Sequence, residues 1–221
     1  MQRLVLFDLD DTLVDRSGTV AAWATLFATR YQLGDHGRSQ VFDLVRERTS
    51  PCTFEEIRTR FGLAPSAASL WSDYCSDISA AVSCTDDLLV RLDSLRAAGW
   101  LVGIATNGAT DIQTAKLHAA GLVERVHGVC ISEAAGARKP ETRAFEEAAA
   151  ACGALLSNGG WMVGDNPETD ICGGKRAGLR TIWIGRGRPW PGHLAPPDHA
   201  VPDARTAVEL LLTSDHVKST A

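Results

Sequence analysis

Leu4-Val5-Leu6-Phe7-Asp8-Leu9-Asp10-Asp11-Thr12 carries an apolar run straight into three carboxylates and a threonine. The run is short and has no polar alternation. It reads as a strand buried on both faces, the kind that parallel sheets use. Acids at its carboxyl end lie where open α/β sheets place their ligands. Carboxylates this close repel one another and need a cation or a shared proton. A donor set made only of oxygen suits magnesium rather than zinc. A solvated turn is the alternative reading at this point, since aspartate is common in turns.

After Thr12 the pattern turns helical. Residues 18–32 place Val20, Trp23, Phe27 and Tyr31 near one face, and residues 39–48 place Val41, Leu44 and Val45 on a stripe. Ser50-Pro51 reads as a break. Thr53 then reads as the cap of a third helix, with Glu56 completing a capping box. A fourth runs over 66–82, with Leu70, Tyr74, Ile78 and Val82 recurring every four residues. Residues 15–84 are thus expected to form an all-helical unit, its aromatics making a small core of their own.

From Asp86 helix and strand alternate: helix over 86–98, strand over 100–105, helix over 109–120, strand over 126–131. The alternation continues with helix over 141–152, strand over 161–163, helix over 169–177 and strand over 180–184. Ala200-Val201 reads as a last short strand before a helix over 204–212, and the tail from Thr213 as frayed. The fold class this implies is α/β: a Rossmann-like parallel sheet with helices on both faces, built from residues 1–14 and 85–221. The helical block 15–84 is an insertion that overhangs the carboxyl edge of the sheet.

Polar residues suited to phosphate chemistry recur at the strand ends. Thr106-Asn107-Gly108 offers a hydroxyl and loop amides to phosphate oxygens. Lys139, in Arg138-Lys139-Pro140, can act as a point charge, with Pro140 leading into the next helix. Gly164-Asp165-Asn166-Pro167-Glu168-Thr169-Asp170 places Asp165 where it can share a cation with Asp8, and Asp170 one turn further on. Taken singly, each has a plain alternative: a turn, a solvated lysine, a helix cap. Their order, each at a strand end, is what favours one site.

Asp8-Leu9-Asp10-Asp11-Thr12, Thr106-Asn107-Gly108, Lys139-Pro140 and Gly164-Asp165…Asp170 resemble the four motifs of the haloacid dehalogenase-like (HAD) hydrolase superfamily. The resemblance covers nearly the whole chain, with 15–84 matching a helical cap domain inserted after the first motif. It implies that Asp8 is a nucleophile forming an aspartyl-phosphate, and that Asp10 is general acid and then general base. It implies magnesium held by Asp8, the backbone carbonyl of Asp10, and Asp165. Asp170 is expected to orient waters or Lys139 rather than bind the cation. Thr106, Asn107 and Lys139 are expected to bind the phosphate. Asp10 argues for a phosphatase over a dehalogenase, because halide leaves without a proton and an alkoxide does not. A phosphomutase shares the first half-reaction and is the alternative within the superfamily. A phospho-signalling receiver or a non-catalytic phosphate-binding protein is the alternative outside enzymes.

The partner expected is a small phosphorylated metabolite, because a lid must close over it. Hinges are expected near 15–18 and 83–85. Candidate substrate contacts are Arg16, Trp23, Arg46, Arg48, Arg58, Arg60 and Trp71, together with the basic, aromatic loop 186–191. A net charge of −5 marks neither a nucleic-acid nor a membrane binder. With no apolar run approaching a membrane span and no evident signal peptide, a cytoplasmic location is expected, with six scattered cysteines as reduced thiols. Nothing in the sequence chooses between monomer and homodimer.

Overall fold

The structure is a computed structural model that describes residues 2–46 and 49–214. Leu4–Phe7 forms β1, buried throughout. It pairs on one side with β2 (Leu101–Thr106) and on the other with β4 (Trp161–Gly164). β3 (Gly128–Ile131), β5 (Arg180–Ile184) and β6 (His199–Val201) complete a wholly parallel sheet in the order β3-β2-β1-β4-β5-β6. The chain walks outward from β1 to β3, returns to β4, and walks out the other way. The loops leaving β1 and β4 therefore diverge and open a crevice at the carboxyl ends of these two strands. Asp8 follows one and Asp165 the other.

Side chains alternate across the sheet, as the period of two requires. Leu4 and Leu6 pack with Phe145, Ala148 and Ala149 of α8 (Thr142–Ala151). Val5 and Phe7 belong to the opposite core, with Leu92 of α5 (Asp86–Ala97), Ile112 of α6 (Thr110–Ala119) and Val208 of α10 (Ala204–Ser214). Between β1 and α5 run four helices without a strand: α1 (Arg16–Arg30), α2 (Gly34–Val45), α3 (Pro51–Phe61) and α4 (Ala67–Ala81). Trp23, Phe54, Trp71 and Tyr74 form their aromatic centre. This centre is not the separate core expected. It is continuous with the Val5 and Phe7 side of the sheet, because Leu9, Leu13 and Val14 bridge the two and α4 packs on α6.

Several boundaries differ from the sequence reading. α2 starts at Gly34, ahead of the position its apolar spacing marks. Ser50-Pro51 begins α3 rather than ending a helix. Ser50 is the cap with Pro51 in the first turn, and Thr53 sits inside, its hydroxyl accepting from Ser50 N at 3.2 Å. Residues 169–177 are not one helix. A π-helical turn over Pro167–Cys172 precedes α9 (Gly173–Arg176), and a short α7 (Ser132–Ala135) follows β3, which begins at Gly128. Pro140 follows a cis peptide and lies ahead of α8 rather than in its first turn. α10 continues to Ser214, and the tail beyond it lies outside the described residues. Among the described residues no helix is long and apolar enough to cross a membrane. All six cysteines are free thiols.

Candidate active site

The first motif bends sharply as β1 ends. Asp8 N still donates to Val163 O of β4 at 2.9 Å, while Asp11 takes a positive φ of 59°. Asp11, at the edge of the crevice, is taken up by local contacts. Its carboxylate accepts from Ser17 N and Oγ at 2.9 and 2.6 Å and from Arg186 at 2.7 Å, tying the entry of α1 to the core. Asp8 and Asp10, two residues apart, both line the crevice.

Lys139, 2% exposed, lies between two acids. Its Nζ donates to Asp8 Oδ1 at 2.6 Å and stands 2.8 Å from Asp170 Oδ1. Burial pulls the Lys139 pKa down, but attraction to Asp170 and Asp8 outweighs it and holds the group above the ordinary lysine value. Burial pushes Asp8 well above the usual carboxylate range; Lys139 opposes this, and the charges of Asp170 and Asp10 add to it. Asp165 is raised to about 6, first by burial and then by Asp170, with Arg188 working against both.

Asp8, Asp165 and Asp170 can each bring a carboxylate oxygen within 4.8 Å of the others. Three acids around one buried lysine leave the cluster short of positive charge, and all its donors are oxygens. A hard divalent cation such as magnesium fits such a set. Asp170 is already engaged at both oxygens, by Lys139 and by Asn166 N at 3.0 Å. It is the post against which Lys139 rests.

Gly164 makes room for that post. A Cβ at this position would lie 2.2 Å from Asp170 Oδ2. Gly164→Ala is expected to push Asp170 aside and cost roughly 100-fold in kcat, the scale on which small misplacements act. Steady-state kinetics on the purified variant check this; wild-type kcat with the substitution confirmed would contradict it.

Thr106 Oγ1 accepts from Gln113 Nε2 at 2.5 Å, which leaves its hydroxyl proton to be donated elsewhere. Asn107 does not point its side chain at an anion. Its amide spans the backbone of Lys139, donating to the carbonyl and accepting from the N–H, both at 2.9 Å. The side chain thus braces the lysine, while the residue still lines the cavity. The sequence reading missed Lys116 and Gln113 altogether. Lys116, 3% exposed, donates to both Asp10 oxygens at 2.8 and 2.9 Å, and Gln113 Nε2 stands 3.3 Å from Asp10 Oδ2. A signal existed: both fall on the buried stripe of α6 with Ile112 and Leu117, where polar residues need a reason.

The cavity of about 510 Å³ is closed from the helical side by Arg16, Arg46, Thr49 and Tyr74. Arg16 donates to the carbonyls of Arg46 and Val45, and its Nε lies 3.8 Å from Asp10 Oδ2. The other expected contacts go elsewhere. Trp23 and Trp71 are core, their indole N–H groups donating to Asp77 at 3.2 Å and Asp111 at 2.8 Å. Arg58 and Arg60 pair with Glu55 and Glu56 on the outside of α3. Arg48 lies outside the described residues. In the loop 186–191, Arg186 binds Asp11 and Asp15, Arg188 binds Asp165, and Trp190 packs edge-on to Trp183. The loop braces the site rather than lining it.

A parallel sheet in this order, with acids after β1 and β4 and a lysine resting between them, defines a hydrolase of one lineage. The chain belongs to the haloacid dehalogenase-like hydrolase family, whose family model matches residues 5–184. A glyceraldehyde 3-phosphate phosphatase of Methanopyrus kandleri is 32% identical over 202 residues, covering 85% of this chain and 86% of that one. A phosphoserine phosphatase of Thermus thermophilus is 39% identical over 114 residues, 52% of this chain, and the match spans only 45% of that relative. Among solved structures, YfnB of Bacillus subtilis, bound to magnesium, superposes with a TM-score of 0.73 at 22% identity, covering 95% of this chain and 98% of that one.

Proposed function

We propose that the chain is a magnesium-dependent phosphatase that hydrolyses a small phosphate monoester through an aspartyl-phosphate on Asp8. The observation that carries this reading is Lys139 set between Asp8 and Asp170, with Asp165 alongside, at the switch point of the sheet. Asp8 attacks phosphorus as the bond to the alcohol oxygen breaks, and the phosphoryl group passes to the Asp8 carboxylate. Asp10, on the same cavity wall, gives the departing oxygen a proton. Water then attacks phosphorus, Asp10 takes its proton, and Asp8 is released with inorganic phosphate. Lys139 and the Thr106 hydroxyl hold the phosphoryl oxygens through both steps. Magnesium, held by Asp8, Asp165 and the Asp10 carbonyl, would supply positive charge that keeps Asp8 ionised and offsets charge on those oxygens.

Relatives that act on glyceraldehyde 3-phosphate and on phosphoserine support a compact phosphorylated metabolite as substrate. A cavity of about 510 Å³, floored by the sheet and roofed by the inserted helices, supports it too. The roof, residues 15–84, acts as a cap that opens for exchange, with residues 1–14 and 85–221 as the catalytic core. Asp10 favours this chemistry over dehalogenation, for which a proton donor beside the nucleophile has no use.

Stripping the protein with EDTA is expected to reduce hydrolysis of a phosphate-ester panel to background, and added magnesium to restore it. Turnover indifferent to chelation would take the cation, and Asp165 with it, out of the mechanism.

A further inference from the structure

A single buried lysine grips Asp10 by both oxygens. Lys116 donates to both of its oxygens, at 2.8 and 2.9 Å, from a side chain that is 3% exposed. Gln113, 1% exposed, braces the same carboxylate at 3.3 Å and joins it to Thr106 Oγ1 at 2.5 Å. Lys116 and Gln113 lie three apart on α6, so one rigid face of that helix presents both. The site thus has two buried lysines with separate duties. Lys139 serves Asp8 and Asp170; Lys116 serves Asp10. Charge-assisted bonds to both oxygens fix the rotamer of the carboxylate and the direction of its lone pairs. Geometry fixed in this way matters most when the partner is not tethered. The alcohol oxygen of the first step is still bonded to the phosphoryl group, whereas the attacking water of the second is not.

We infer that Lys116, braced by Gln113, is a positioning residue that holds Asp10 for the water step, the hydrolysis of the aspartyl-phosphate. This rests on the phosphatase reading above. In that step a water oxygen bonds to phosphorus, the bond from phosphorus to the Asp8 oxygen breaks, and a proton passes from water to Asp10. Lys116 acts in this step through Asp10, to whose two oxygens its ammonium donates.

p-Nitrophenyl phosphate isolates the step, because p-nitrophenolate departs without a proton and the first half-reaction then makes little demand on Asp10. With full-length protein and magnesium, Lys116→Met is expected to release about one p-nitrophenolate per site in a fast burst. A steady rate roughly 100-fold below wild type should follow. KM should fall with kcat, so that kcat/KM, which ends at departure of the phenolate, changes by less than about threefold. Intact-mass measurement on acid-quenched samples should show the phosphorylated protein accumulating. Lys116→Arg, which keeps a buried cation, should restore most of the steady rate. The burst and the KM shift belong to the folded fraction, so a partly folded preparation does not imitate them. A Lys116→Met protein that loses kcat/KM and kcat equally, with no burst and no phosphoprotein, would overturn the inference. So would one that turns over at the wild-type rate. A wild type inert toward every ester would instead remove the phosphatase reading, and this inference with it.

Discussion

Asp8→Asn is expected to lose turnover by at least about 10⁴-fold while remaining folded, since an amide cannot serve as the nucleophile on which both half-reactions depend. Asp8→Ala should match it, and unlike the asparagine it cannot revert to aspartate by hydrolysis. The stability effect runs the other way. Burial holds the Asp8 carboxyl well above its ordinary pKa, so the ionised group costs the fold stability wherever the unfolded chain would carry the charge. The native state then binds more protons than the unfolded one, and stability falls as pH rises past the unfolded carboxylate value. In chelator at neutral pH, Asp8→Asn is therefore expected to melt at or above the wild-type temperature. That advantage should vanish at acid pH, where both states of the wild type carry the proton. Lys139 retains Asp170 as its partner in the variant, which keeps the buried lysine paired. A calorimetric series across pH, run beside the activity assay, separates the two effects. An Asp8→Asn protein that turns over at a tenth of the wild-type rate, with Asp8→Ala agreeing, would mean that the nucleophile has been assigned wrongly.

The fold was legible because its signals are local and repeated. Short apolar runs such as Leu4–Phe7 and Trp161–Gly164 alternate with helical periodicity, and a chain built that way has few parallel arrangements open to it. The acids of the site were legible for a related reason: Asp8 and Asp165 each follow directly on a strand, with Asp10 and Asp170 a few residues on, and parallel strands bring their ends to one edge. What periodicity could not show was what the inward-turned polar residues hold. Lys116 and Gln113 fall on the apolar stripe of α6, and only the folded chain shows that what they hold is Asp10, far away in sequence. The arginines failed in the opposite direction. Arg58 and Arg60 resemble substrate contacts by composition, yet each has a glutamate three or four residues earlier, and on a helix that spacing spends the charge locally. The loop arginines, Arg186 and Arg188, found partners in Asp11, Asp15 and Asp165 that lie far away in sequence. No local pattern points to such pairs. The boundary at Ser50-Pro51 was misread because proline both ends helices and begins them, and only the geometry of the preceding residue decides.

Lys139→Met is expected to have the second largest effect, and on both axes at once. The side chain is 2% exposed and is the positive charge between Asp8 and Asp170, at 2.6 and 2.8 Å. Removing one partner of a buried ionic cluster leaves the others uncompensated, at a cost of about 3–5 kcal/mol. For a chain of this size that corresponds to a melting temperature lower by roughly 10 °C. The Lys139 pKa lies above its unfolded value, so its contribution is complete below the unfolded lysine value and is lost only as pH rises through the folded one. The gap between wild type and variant should therefore be full at pH 7. It should narrow in acid, where Asp8, already raised by its burial, takes up a proton in the variant and ceases to repel its neighbour. Magnesium should recover part of the lost stability, because a divalent cation answers the same excess of carboxylate. Turnover should fall by about 10³-fold or more, since in the proposed mechanism the lysine also binds the phosphoryl oxygens. Adding Asp170→Asn separates the two duties: the double variant removes one repelling carboxylate and is expected to regain most of the stability and none of the rate. Were stability and turnover to return together, Lys139 would be a counter-ion alone, and phosphate binding would rest with Thr106 and the main chain around it.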